Sequence, residues 1–298
     1  VTSRTKWCSE QGCNFAALHG SGKCWEHQSD KGRYIRDLGD AVRSGADMAG
    51  ANLAKIVTAG LDVRGGSLAG ARLRGAKLFG LEAEGVSLSG ADLTMALLEG
   101  ANLEGAALED AALEGASMDG ARAGSAAFAG AKMAGASLVE IAADGSDLGD
   151  CDMRFCAATS ASFAGASLSG TRLELATCRG ADFSGADLSS AVLGRADLRG
   201  ARFEGANLRM ANFVGARLCG ADMREADLYY ARLGRTDLRR ANLSGAVLRR
   251  TVCREADFRD AIMSGADVTG TIFERALMAG AETGTLDFSS CNMKGAER

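Results

Sequence analysis

An all-β solenoid, a rod of stacked coils, is the fold that three observations predict. From Ala46 onward the chain repeats every five residues without a register slip, it contains no proline, and most of its 40 glycines close a repeat. Successive units read Ala101-Asn102-Leu103-Glu104-Gly105, Ala181-Asp182-Phe183-Ser184-Gly185 and Ala241-Asn242-Leu243-Ser244-Gly245. On an α-helix a five-residue step turns each Leu by about 140° from the last, which smears the apolar set around the cylinder. On a flat strand an odd step throws successive Leu residues onto opposite faces. One regular solution remains: the chain turns a corner once per repeat, so that every Leu and the Ala two positions before it point into a common interior.

The N-terminal segment, residues 1–29, has a different composition. It holds Cys8, Cys13 and Cys24, both histidines and both tryptophans, in the spacing Cys-x4-Cys-x10-Cys-x2-His that ends at His27. Three thiolates and an imidazole meet the four-coordinate demand of a structural zinc (Zn2+) site, and so short a segment has too little apolar surface to fold unaided. His19 competes with His27 as the fourth ligand. Trp7, Phe15, Leu18 and Trp25 are expected to form a miniature core around the metal. Four protein ligands leave no open position for water, so hydrolysis at the metal is not expected.

Residues 30–45 follow as a capping helix and linker. Asp30 suits an N-cap, and Tyr34, Leu38 and Val42 recur at four-residue steps through about Arg43. A helix here plugs the first coil, which otherwise exposes strand edges and an apolar interior.

The rod takes residues 46–298. Of the 50 central positions from Met48 to Met293, 42 are Leu, Phe, Met or Val, and Ala fills 35 of the 50 inward positions before them. Tandem Ala-Asp/Asn-Leu/Phe-x-Gly units in unbroken register resemble the pentapeptide-repeat family. The resemblance implies a right-handed, four-sided parallel β-helix with four repeats per coil, hence about 12–13 coils and a rod about 60 Å long at the spacing of paired strands. Ile56, Leu61, Leu81, Val86 and Ile141 put bulk where Ala is usual, and Thr58, Ala83 and Ala143 shrink beside them, which conserves local volume. Thr171, Thr236, Thr251 and Thr271 are near-isosteric replacements whose hydroxyls can bond the backbone. Cys151, Cys156, Cys178, Cys253 and Cys291 fall on inward positions and Cys219 on an outward one. That usage, with no run of 18 apolar residues, fits a reducing compartment, so a cytoplasmic protein with no membrane partner is expected.

At the C-terminus Leu286, Phe288, Cys291 and Met293 keep the inward register with no terminal helix after them. Two covers satisfy such an end: further chain, or a second subunit in a two-fold end-to-end homodimer through the C-terminal coil.

Function must come from the outside of the rod. The repeats contain no histidine, no nucleophile-base pair and no phosphate-binding glycine loop, so no enzyme is expected. The net charge of −4 conceals a lengthwise division: residues 81–150 carry 13 acids against Arg122 and Lys132, whereas residues 195–259 carry 14 arginines against 8 acids. The acidic section includes Glu99, Glu104, Glu109, Glu114 and Asp119. On a twenty-residue coil Arg179, Arg199, Arg239 and Arg259 share one column, Arg195, Arg235 and Arg275 a neighbouring one, and Arg240 lies beside them. Stacked like charges repel modestly, so stability gives no reason for these columns. The expected role is a protein-binding module or scaffold acting through the charged faces. The resemblance implies an alternative, since some pentapeptide-repeat proteins imitate duplex DNA and bind DNA gyrase or topoisomerase IV, protecting them from quinolone-type poisons; the acidic section suits that role and the basic section departs from it. A second alternative is phosphate-driven nucleic-acid binding by the arginine columns, with stacking aromatics scarce and Tyr229, Tyr230 and Phe79 the main candidates.

Overall fold

The computed structural model describes residues 6–297; residues 1–5 and 298, at the outer ends of the N-terminal segment and the rod, lie outside the described residues. Parallel bridges join the second residue of a repeat to the residue twenty further on, from Asn52 with Arg72 to Leu277 with Glu297, so four five-residue repeats make one turn of a four-sided β-helix. The 252 residues from 46 to 297 therefore make about 12.6 coils, about 60 Å of rod.

Each repeat places its backbone groups in the same way. Leu103 N–H donates to Arg122 O one coil on, Arg122 N–H donates back to Ala101 O, and Gly105 N–H donates to Gly124 O. The first residue of the next repeat closes the corner, with Ala106 N–H donating to Leu103 O. The remaining amide, at the fourth position, is met by the side chain two residues earlier: Glu104 N–H donates to Asn102 Oδ1, Ser184 N–H to Asp182 Oδ1 and Tyr229 N–H to Asp227 Oδ1. The preference for Asp or Asn at the second position is thus a turn device, since these side chains bond the backbone two residues on. The sides are short. Among the described residues only β1 (Val57–Ala59) and β2 (Lys77–Phe79) extend over three residues, and elsewhere in the rod the pairings are single bridges. Two corners per ten residues leave no room for more.

From Gly50 to Gly280 the fifth position closes each corner in the left-handed region, which explains its glycines. Gly105, at φ 59°, is typical, and Phe155, Leu175 and Arg195 adopt the same region at 61°, 61° and 58°. The interior is continuous: Phe163, Phe183 and Phe203 stack at 5.2 and 5.0 Å between centroids, one ring per coil. The hydroxyls of Thr171, Thr236, Thr251 and Thr271 donate to the carbonyls of Leu148, Phe213, Leu228 and Leu248, so these buried threonines are satisfied.

Helix α1 (Lys31–Arg43) covers the first coil, with Asp30 accepting from Arg33 N–H as N-cap and Leu38 and Val42 buried. Val42 lies against Gly66, where a Cβ would come within 2.5 Å of its Cγ1 and 2.6 Å of its carbonyl oxygen. Gly66 stands where the repeat prefers Ala, and the plug is the reason. At the other end Leu286, Phe288, Cys291 and Met293 pack on the core but stay half-buried.

Candidate functional site

The N-terminal segment folds as a small loop cluster held to the first coil. Cys8 N–H donates to Phe15 O, and Trp7 bridges Ala16 in antiparallel fashion, which brings Cys8 and Cys13 together from either side of a tight turn. His27 N–H donates to Cys24 O in the next turn. The ligand atoms of Cys8, Cys13, Cys24 and His27 all lie within 4.8 Å of one another. The Sγ of Cys8 and of Cys24 each lie 3.4 Å from His27 Nδ1, and Cys13 Sγ lies 3.8 Å from Cys24 Sγ. A tetrahedral zinc with Zn–S of about 2.3 Å sets its sulfurs about 3.8 Å apart, so these three separations are close to the edges of such a site. Burial raises the Cys8 thiol, but backbone amides of Cys24 and Glu10 and the His27 ring outweigh it and bring it down to about 6. His19, the competing ligand, is not in the cluster; its N–H donates to Asn52 O, and its carbonyl accepts from Tyr34 Oη at 2.9 Å.

The miniature core expected around the metal is only half right. Leu18 and Trp25 are buried, but they join the core of the rod, while Trp7 and Phe15 are 65% and 50% exposed. The segment takes its apolar support from the first coil, so its aromatics divide between that contact and solvent. Phe15 instead carries Lys55 Nζ 4.7 Å above its ring.

The charged side chains of the rod fall into two arrangements. Glu99, Glu104, Glu109 and Glu114 are five residues apart and lie on four successive sides, and Asp119 returns to the side of Glu99. They form a belt around the rod. Arg179, Arg199, Arg239 and Arg259 all lie on one side, the side of Glu99 and Asp119, bordered by the corner columns that hold Arg195 and Arg235 and, on the other edge, Arg240. The structure also supplies a reason in stability for the first column, contrary to the expectation from sequence. Arg199, Arg239 and Arg259 each fork onto the aspartate two residues earlier, Asp197, Asp237 and Asp257, at 2.6–2.9 Å. Arg179 Nε reaches the same Asp197 at 2.8 Å. The Arg199 fork, aided by Arg179, holds the Asp197 carboxyl well below the usual carboxylate range. Exposed pairs of this kind stabilise little individually, yet they relieve the repulsion along the column.

Two of the three candidate stacking aromatics are already engaged, while Phe79 is 38% exposed. The Arg209 guanidinium sits 4.7 Å above Tyr229, and Arg250 Nη1 donates to Tyr230 Oη at 2.5 Å. The buried thiols of the rod are packing groups, since burial pushes Cys151 up to about 12. Half-buried Cys219 lines a shallow cleft with Arg239, Arg240, Arg259 and Asp260. Among the described residues no helix is long and apolar enough to cross a membrane.

A family model described as pentapeptide repeats matches this chain in 8 copies over residues 60–94, 96–135, 136–174, 169–205, 201–240 and 236–275. No curated protein matches. Among solved structures, a trypsin-treated form of QnrB1, a plasmid-mediated fluoroquinolone resistance protein, is 21% identical over 57% of this chain and 88% of its own, with a TM-score of 0.47. HetL, a pentapeptide repeat protein involved in heterocyst differentiation regulation in the cyanobacterium Nostoc, is 26% identical over 89% of this chain and 93% of its own, with a TM-score of 0.38. A pentapeptide repeat protein from the Arabidopsis thaliana thylakoid lumen is 35% identical over 32% of this chain and 63% of its own, with a TM-score of 0.26.

Proposed function

The chain belongs to the pentapeptide-repeat family, and from that premise we propose that it is a non-enzymatic protein-binding rod whose basic side docks an acidic protein surface. What supports the reading is the gathering of Arg179, Arg195, Arg199, Arg235, Arg239, Arg240 and Arg259 along one side and its edges, while the acids of the N-terminal half encircle the rod. A docking partner meets one side of a rod, so a belt presents it only a fraction of the acidic charge. The same argument ranks imitation of DNA toward gyrase or topoisomerase IV second, because the saddle of a DNA-binding enzyme also engages one side. Direct nucleic-acid binding ranks third, as arginines occupy Tyr229 and Tyr230.

In this reading Cys8, Cys13, Cys24 and His27 hold a structural zinc that folds residues 1–29 and, with the linker helix of 30–45, seals the first coil of the rod at 46–298. The half-buried C-terminal coil is the surface for an end-to-end homodimer. In this reading the protein is cytoplasmic, which its cysteine usage supports.

The test is capture of partners from nuclease-treated host lysate on the immobilised zinc-loaded protein, beside a variant with Arg179, Arg199, Arg239 and Arg259 all changed to Glu. Protein partners held by the natural sequence and lost on charge reversal are expected. Recovery of gyrase or topoisomerase IV that survives reversal moves the assignment to DNA imitation, and duplex DNA binding that fades steeply with salt moves it to the nucleic-acid reading.

A further inference from the structure

The side of the rod that carries the arginine column is divided symmetrically about its middle. This side takes the second half of every other decade of the sequence, from the corner at positions such as 95, 115 and 135 to that at 100, 120 and 140. Over three coils N-terminal of the middle, segments 95–100, 115–120 and 135–140 bear Glu99, Asp119 and Glu140 and no base, a net of −3. Over three coils C-terminal of it, segments 195–200, 215–220 and 235–240 bear six arginines against Asp197 and Asp237, a net of +4. The two coils between hold Arg179 as their sole charge on this side, and Arg179 is paired with Asp197. Their edge is apolar: Phe155 and Leu175, stacked on one corner, are 60% and 47% exposed. Both sit in the left-handed region at φ 61°, where glycine is the unstrained choice and is the usual residue of this repeat. Neither burial nor backbone preference accounts for a Phe and a Leu there.

The geometry points to a second copy of this chain as the occupant of this side, lying antiparallel and in register about a two-fold axis between the coils of Phe155 and Leu175. The inference rests on the reading of the basic side as a protein-docking surface and names what docks. A two-fold axis there sets Phe155 against Leu175 of the other copy, Asp119 opposite the coil of Arg217, and Glu99 opposite the coil of Arg239. Each negative half meets a positive half twice over. A parallel or shifted arrangement sets like charges together, so the register is specified by repulsion as well as attraction. Eight coils span about 40 Å and the side is about 13 Å wide, so each copy contributes about 500 Å², which is the size of a weak, concentration-dependent contact.

This lateral contact is separate from end-to-end pairing and is tested apart from it. Sedimentation of the natural sequence should show a mass that rises with concentration and falls as salt is added. Phe155→Gly with Leu175→Gly removes the apolar edge while giving both corners the residue they prefer, so the variant folds; its lateral dissociation constant should rise at least about tenfold. The charges are tested by two double variants, Glu99→Arg with Asp119→Arg and Arg217→Glu with Arg239→Glu. Each alone should fail to self-associate laterally, and an equimolar mixture should form a heterodimer, because the reversed ends then match. A mass profile that is the same for the glycine variant and the natural sequence, or a mixture that stays unassociated, overturns the inference. If lateral pairing fails these tests while reversal of the arginine column still abolishes partner capture, the docking reading stands and only its occupant is wrong.

Discussion

Gly66→Ala separates a reading of the repeat pattern from a reading of the packed structure, because the two predict opposite signs. Ala is the commonest residue at the inward position, filling 35 of 50 sites, and Gly66 does not have a left-handed φ. Pattern alone therefore predicts a gain of about 0.4–1 kcal/mol from the stiffer unfolded chain. In the folded protein the new Cβ would lie 2.5 Å from Val42 Cγ1, 2.6 Å from Val42 O and 2.9 Å from Val42 C. Two of those atoms are helix backbone and cannot rotate away, so α1 must shift outward as a body. Overpacking of this kind costs about 1–3 kcal/mol. A solenoid transmits strain only between neighbouring coils, so the loss should be local, with amides of α1 and the first coil exchanging about 5–150 times faster and those beyond Leu103 unchanged. Hydrogen exchange resolved by residue is the assay. In a Val42→Ala background the methyl contact disappears while the carbonyl contact remains, so the same substitution should cost less but not nothing. Exchange in α1 that is unchanged or slower in Gly66→Ala refutes the account of how the plug is seated.

Metal removal should act on the same end: chelation, or Cys13→Ser, is expected to abolish binding of one equivalent of zinc and to release residues 6–29 from exchange protection, with the circular dichroism of the rod retained. Cobalt should bind with thiolate charge-transfer bands, and their absence counts against a three-thiolate site. Asp187→Ala deprives both Ser189 N–H and Asn207 Nδ2 of their acceptor, each at 2.9 Å, and should cost about 1–2 kcal/mol in urea unfolding; a neutral result excludes the turn role given to the second position. Asp197 is held below its ordinary range by Arg199 and Arg179, so its contribution is fully present above the unfolded pKa, about 3.9, and is lost as pH falls through its lower folded value. Thermal unfolding from pH 5 to 2 should therefore decline more steeply in the natural sequence than in Asp197→Asn, and parallel curves would contradict the pairing.

Much of the rod is legible in one dimension because its contacts are nearly one-dimensional. Each inward residue meets residues five and twenty positions away, so the period states the packing directly, and Leu103, Phe183 and Thr171 are placed by counting. The helix is legible from Asp30 and the four-residue steps of Tyr34, Leu38 and Val42. The ion pairs of the arginine column were missed for want of one geometric fact: positions two and four of a repeat point out of the same side. The signal was present as Asp-x-Arg in Asp197-Leu198-Arg199, Asp237-Leu238-Arg239 and Asp257-Phe258-Arg259. The exposure of Trp7 and Phe15 was not legible, since which aromatics of a short segment are buried depends on the surface that receives it.

That a solenoid forms, where it begins and which side chains fill it can be read from the residue order, because a strict five-residue period admits one regular burial pattern. The order of residues also singled out three thiols and two imidazoles as candidate metal ligands, through their chemistry and spacing. It took the folded structure to settle that His27 rather than His19 completes that cluster, that Gly66 makes room for Val42, and that Arg199, Arg239 and Arg259 fork onto the aspartates two residues before them. Those outcomes depend on which residues meet across coils and between the plug and the first coil. Distances of that kind are set by the closing of the chain on itself, which the order of residues along it does not state.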